Sequence, residues 1–69
     1  MEKFEFFVDE LRPQWWRYNL EVEANSKEEA IQKALNFDGE ILDSELISDG
    51  GNTQVTEVRD LNFKLLIKT

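Results

Sequence analysis

Ten consecutive residues, from Trp15 to Ala24, obey a period of two. Trp16, Tyr18, Leu20, Val22 and Ala24 share one parity, and Trp15, Arg17, Asn19, Glu21 and Glu23 share the other. Successive side chains of an extended chain point to opposite faces, whereas a helix would scatter these apolar residues around its circumference. The segment therefore predicts a strand with one buried face, which needs pairing neighbours and a second layer to cover it. A weaker alternation precedes it: Phe4, Phe6 and Val8 stand against Lys3, Glu5 and Asp9, with Phe7 the exception. The intervening residues 10–14 hold the only proline and read as a loop, so the two strands are expected to form a hairpin.

The period changes after Ala24. Ser26, with Glu29 three positions on, is a capping box, and Ala30, Ile31, Ala34 and Leu35 form a narrow helical stripe behind it. Glu29 and Lys33 have the favourable i,i+4 spacing. The helix is expected from about 27 to 36, ended by Asp38-Gly39. Residues 40–48 fit two patterns. Leu42 and Leu46 share a strand face with Ser44 and Ser48, while Ile41, Leu42, Glu45 and Leu46 also suit a helical turn; the strand is preferred. Asp49-Gly50-Gly51-Asn52 is a turn signal leading to the β-branched stretch Thr53–Val58. After Arg59-Asp60, residues 61–67 alternate again, with Leu61, Phe63, Leu65 and Ile67 on one face and Asn62, Lys64 and Leu66 on the other. The order is β-β-α-β-β-β in a single domain spanning 1–69, without repeat or linker. The expected fold is α+β: a mainly antiparallel sheet of four to five strands with one short helix packed on one face.

Several chemistries are excluded by what the chain lacks. It has no cysteine, which removes disulfides, thiolate metal sites and thiol catalysis, and no histidine, which removes the commonest general base and transition-metal ligand. Ser26, Ser44 and Ser48 thus have no histidine to activate them, and Lys27 and Lys33 fall on the polar side of the helix. Three scattered glycines make no phosphate-cradling loop. Asp38–Asp43 puts apolar residues where a calcium loop needs oxygen ligands. Paired carboxylates for sugar hydrolysis need a cleft that so short a chain seldom builds. The expectation is a non-enzyme with no cofactor and no metal. Fifteen acids against eight bases give a net charge of −7, so the basic footprint that holds nucleic acid or an anionic membrane is missing. Met1–Glu5 lacks the basic and apolar regions of a signal peptide, and no run approaches the roughly 18 apolar residues of a membrane span. With no disulfides to staple it, the domain is expected in the cytoplasm.

The stretch Leu20–Leu35 holds Val22, Ala24, Ser26, Glu28, Glu29 and Ala30 as a "V-x-A-x-S-x-E-E-A" joint between strand and helix, and Gly39-Glu40-Ile41 follows as the next strand opens. Over about residues 15–45 this resembles the DpnD/PcfM-like group of small phage and mobile-element proteins. The Trp15-Trp16 pair and the tail from Asp49 onward depart from that pattern. The resemblance implies a mobile-element origin and a cytoplasmic setting, and carries over no functional residues.

Charge is polarised along the chain. Residues 1–49 hold 13 acids and 5 bases, and residues 50–69 hold 2 acids and 3 bases. Asp38, Glu40, Asp43, Glu45 and Asp49 fall within twelve residues free of Lys and Arg. One reading is a surface that imitates nucleic-acid phosphates and fills a basic groove on another protein. The plainer reading is a solvated edge that resists sheet-to-sheet aggregation. Trp15 falls on the reverse face of its strand, with Phe7 and Leu66 if register unites them, and tryptophan is enriched in binding hot spots. Trp15, Asp38, Glu40, Asp43, Glu45 and Asp49 are thus the candidate protein-binding residues. The function expected is a small acidic binding protein of phage or mobile-element type. Its partner would be a basic, nucleic-acid-handling host protein, inhibited by charge mimicry in an anti-defence, anti-CRISPR-like role. The alternative is an assembly module that forms a homodimer through the uncovered sheet face.

Overall fold

The computed structural model describes residues 1–11, 13–50 and 54–69. Within them lie β1 (Glu2–Leu11), β2 (Trp15–Ala24), α1 (Lys27–Leu35), β3 (Glu40–Ser48), β4 (Val55–Arg59) and β5 (Leu65–Lys68). The strands form one antiparallel sheet in the order β3-β2-β1-β4-β5. The expected α+β architecture is the observed one, and β1 and β2 form the expected hairpin, in unbroken register from Glu2 opposite Ala24 to Leu11 opposite Trp15.

Alternation decides which side chains meet the helix. Phe6 and Val8 of β1, Leu20, Val22 and Ala24 of β2, and Val58 of β4 are buried on one face, against Ala30 and Ala34 of α1. Two alanines one turn apart leave room for the helix to lie close to the sheet. Ile31, Leu35 and Phe37 pack around this core from the helix side, and Leu66 and Ile67 from β5. The helix lies over β1, β2, β4 and β5 and stops short of β3. No side chain of β3 is buried, and Ile41 and Leu46 on its helix-side face remain 52% and 49% exposed.

The helix start follows the sequence, with Ser26 Oγ accepting from the Glu29 N–H at 3.2 Å. The Glu29 carboxylate turns to Lys33 instead, at 3.6 Å. The helix end differs from expectation. Phe37 N–H donates to the Ala34 carbonyl at 3.0 Å and Asp38 N–H to the Lys33 carbonyl at 2.8 Å, the paired bonds of a Schellman motif. The residue in the left-handed conformation is Phe37, with φ 55°, and not a glycine. Its ring meets Tyr18 edge-on with centroids 5.3 Å apart, so packing holds a conformation that the backbone disfavours. Gly39 has another role: a Cβ there would lie 2.5 Å from the Glu21 carbonyl oxygen.

Residues 40–48 form a strand rather than a helical turn. Its two register shifts leave Leu42 and Ile47 as extra residues, so Ile41, Ser44 and Leu46 share the helix-side face while Asp43, Glu45 and Ser48 share the reverse. Leu42 and Ser48 thereby leave the face on which simple alternation puts them. The turn signal at 49–52 does not fold β4 back onto β3, because β2 and β1 lie between them. Gly50 sits where a Cβ would strike the Pro13 carbonyl and the Leu11 side chain, and Gly51, Asn52 and Thr53 lie outside the described residues. The strand expected over 61–67 begins only at Leu65. Asp60 takes its start: the carboxylate accepts from the N–H groups of Asn62 and Lys64, each at 2.9 Å, and Phe63 adopts φ 66°.

Candidate protein-binding face

The reverse face of the sheet is read most simply as rows of side chains running across the strands. Three glutamates form one row, with Glu5 of β1 opposite Glu21 of β2 and Glu21 opposite Glu40 of β3. The next row is Phe7, Asn19 and Asp43, and the next Asp9, Arg17 and Glu45. The last is Leu11, Trp15 and Ser48. Opposed side chains of an antiparallel pair stand about 5 Å apart. The register therefore gathers Glu5, Glu21, Glu40, Asp43 and Glu45 onto one patch of three adjacent strands. Among the described residues the only ion pair to these five is Lys3 to Glu21, at 3.8 Å. Asn19 Nδ2 donates to Glu5 at 3.0 Å, and Asp43 Oδ1 accepts from the Ser44 N–H at 2.9 Å.

Of the residues that sequence reasoning nominated, the structure unites Glu40, Asp43 and Glu45, all exposed, on this face. Asp38 and Asp49 are exposed at opposite ends of β3, which at nine residues spans about 30 Å. Asp38 borders a shallow corner with Glu21, Glu23, Lys33, Gly39 and Glu40. Trp15 does lie on the reverse face, half-buried beside Leu11, and stands two rows from Phe7. The expected group of Phe7, Trp15 and Leu66 is not assembled. Leu66 is the extra residue where the β4–β5 register shifts, and it packs toward the core. Phe63, projecting from the 60–64 loop, stacks on Phe7 with centroids 4.9 Å apart and planes 8° from parallel.

Beside that stack lies the one buried charged residue among the described residues. Asp9 is 3% exposed on a sheet face that no other element of the described residues covers. Arg17 grips it side-on with two donors of the guanidinium, Nε to Oδ1 at 2.8 Å and Nη2 to Oδ2 at 2.9 Å, and Arg59 approaches from β4 at 3.4 Å. Arg59 also donates to the Glu57 carboxylate at 3.1 Å and to the Phe63 carbonyl at 3.0 Å, tying the loop down. The Arg17 guanidinium lies 4.8 Å from the Phe63 ring centroid, within cation–π range. Its hydrogen bond to Asp9, with the charges of Asp9 and Glu45 adding, holds it above the ordinary arginine value in spite of desolvation. Arg17 is therefore a committed cation, held mainly by Asp9, and it offsets part of the charge of Glu45 opposite it.

Sequence reasoning missed Glu5 and Glu21 as members of the patch, and missed the Asp9 cluster. The parity of Glu5 and Glu21 was visible; the register that sets them beside Glu40 was not. A hollow of about 180 Å³ lies among Phe7, Arg17, Asn19, Asp43, Ser44, Glu45 and Phe63. It is smaller than the roughly 300–1,000 Å³ of ordinary small-molecule sites. No group of His, Cys, Asp and Glu among the described residues has metal-holding geometry. No family model, no curated protein and no solved structure matches the chain.

Proposed function

We propose that the chain is a small acidic binding protein whose reverse sheet face, centred on β2 and β3, occupies a basic surface of another protein. The observation that carries this reading is the row of Glu5, Glu21 and Glu40 with Asp43 and Glu45 beside it, five carboxylates on three adjacent strands whose ion pairing among the described residues is one contact of 3.8 Å from Lys3, with Arg17 opposite Glu45. A basic groove that receives nucleic-acid phosphates is the complementary surface, and a nucleic-acid-handling host defence protein is the partner class that presents one. The phage or mobile-element setting belongs to the same proposal and rests on the joint over Val22–Ala30 and on Gly39-Glu40-Ile41 alone, since no family model matches the chain. No part of the reading asks for catalysis or for a bound cofactor.

The test is displacement of DNA from a panel of DNA-binding defence nucleases by the intact chain. Displacement should weaken steeply as salt rises, and the triple variant Glu40→Lys, Asp43→Lys, Glu45→Lys should lose it. Salt-insensitive displacement, or full displacement by the triple variant, overturns the reading. Self-association as an assembly module is the second reading. It is favoured by Leu61, Phe63 and Leu65, large apolar side chains left exposed around the β4–β5 hairpin. Sedimentation over a range of concentrations distinguishes it, since a dimer formed through these side chains should be lost in the double variant Leu61→Glu, Leu65→Glu.

A further inference from the structure

β3 is an edge strand whose two faces make different demands. Among the described residues it pairs with β2 alone, so the backbone groups on its other side have no strand of these to meet. On the helix side α1 does not reach it, and Ile41 and Leu46 form an exposed apolar shelf, Leu46 opposite Trp16 and Ile41 opposite Leu20. On the reverse side Glu40, Asp43 and Glu45 have no ion pair among the described residues. Soluble proteins usually guard such an edge with charges, lysine above all, or with proline, bulges or short length. β3 carries acids and two bulges, has no lysine or proline, and is nine residues long.

We infer that β3 takes an extended basic segment of the partner protein as an added strand, apolar residues of that segment covering the Ile41–Leu46 shelf and alternate lysines or arginines facing Glu40, Asp43 and Glu45. This deepens the reading of the acidic face and rests on it. A strand presents alternate residues to opposite faces, so one segment with an apolar–basic alternation meets both demands at once. The β3 of a second copy, which has no basic residue, does not. Antiparallel pairing of β3 with itself about Ser44 sets Asp43 opposite Glu45 twice, and like charges directly opposed are destabilising. The bulges at Leu42 and Ile47 leave Asp43–Leu46 as the regular stretch, so the added ladder is short and depends on its side chains.

Two short peptides of identical composition provide the test, one alternating lysine and valine and the other with its lysines and valines in separate blocks. A third is the alternating peptide N-methylated at every second residue, which keeps charge and shape but removes the donors along one edge. The alternating peptide should bind about tenfold more tightly than either control and should slow exchange of β3 amides. The triple variant Glu40→Lys, Asp43→Lys, Glu45→Lys should lose that binding; because the peptide controls leave the protein unchanged, the test does not depend on how the variant folds. Equal binding of all three peptides overturns strand addition while leaving the charge reading standing. Failure of every peptide to bind at low salt overturns both. Slowed β3 exchange in a concentration-dependent dimer without peptide assigns the edge to a second copy and overturns the proposal.

Discussion

Asp9 is the residue on which removal of a few atoms should cost the most. Replacing it by alanine takes the carboxylate from between Arg17 and Arg59, leaving Arg59 with Glu57 and Arg17 without the acid that both of its hydrogen bonds reach. Removing one partner from a buried pair typically costs about 3–5 kcal/mol. Both arginine side chains keep 27% of their surface in water, so solvent recovers part of that loss, and about 2–3 kcal/mol remains. A domain of this length has a total stability of about 3–10 kcal/mol, so the change removes a large fraction of it. With a urea dependence of about 1 kcal/mol per molar for so small a chain, the unfolding midpoint should fall by about 2–3 M. Because Phe63 is tied to Arg59 and lies over Arg17, the Phe7–Phe63 stack should loosen in the same variant. A double-mutant cycle with Arg17→Met isolates the pair, and its coupling should exceed about 1 kcal/mol. A midpoint shift below about 0.5 M in Asp9→Ala would refute the claim that this carboxylate organises the reverse face.

Three further expectations follow from the helix and its flanks. Ser26→Ala removes the acceptor for the Glu29 N–H and should cost about 1 kcal/mol in urea unfolding. Gly39→Ala places a methyl against the Glu21 carbonyl and the Val22 side chain and should cost about 1–3 kcal/mol, with amide shifts in NMR spectra centred on β2. Phe37→Gly opposes two terms. Relief of the left-handed backbone gains about 1 kcal/mol, but loss of a half-buried ring against Tyr18 and the core costs more, so net destabilisation is expected, and a stabilised variant would show that the ring is not packed in solution.

The fold was legible where local periodicity and burial agree. Trp15–Ala24 alternates throughout, and Leu20, Val22 and Ala24 are the part of its helix-side face that packs with Ala30 and Ala34 of α1, while Ser26 caps the helix for reasons confined to four residues. Legibility failed where side-chain chemistry overrides period. Asp60 binds two backbone N–H groups and converts the start of an alternating run into a loop, and the bulges at Leu42 and Ile47 shift which residues of β3 face the helix. Gly39 looked like the helix stop because glycine tolerates the left-handed conformation. Phe37 takes that conformation because its ring is held, a tertiary effect that no local pattern encodes. The acidic run was visible on β3, but its extension onto β1 and β2 depends on register, and register is a property of the folded sheet.

The Glu5–Glu21–Glu40 row separates a solvated edge from a binding face by its effect on stability. If the acids served solubility alone, mixed signs on adjacent strands would serve as well without mutual repulsion. The observed row opposes like charges twice, at a cost of about 0.2–1 kcal/mol for each directly opposed pair. Glu40 has no ion pair among the described residues, so Glu40→Gln removes repulsion from Glu21 and gives up no salt bridge. The variant should be more stable than the parent by about 0.2–1 kcal/mol at low salt. The gain should shrink as added salt screens the exposed charges. The same variant should bind a basic partner less tightly, so stability and binding move in opposite directions. If Glu40→Gln leaves stability unchanged at low salt, the carboxylates are too well solvated to repel one another, and a patch that does not repel itself has little field to offer a partner. If it gains stability and keeps full binding, the row is a cost with no return, and the partner surface lies elsewhere on the molecule.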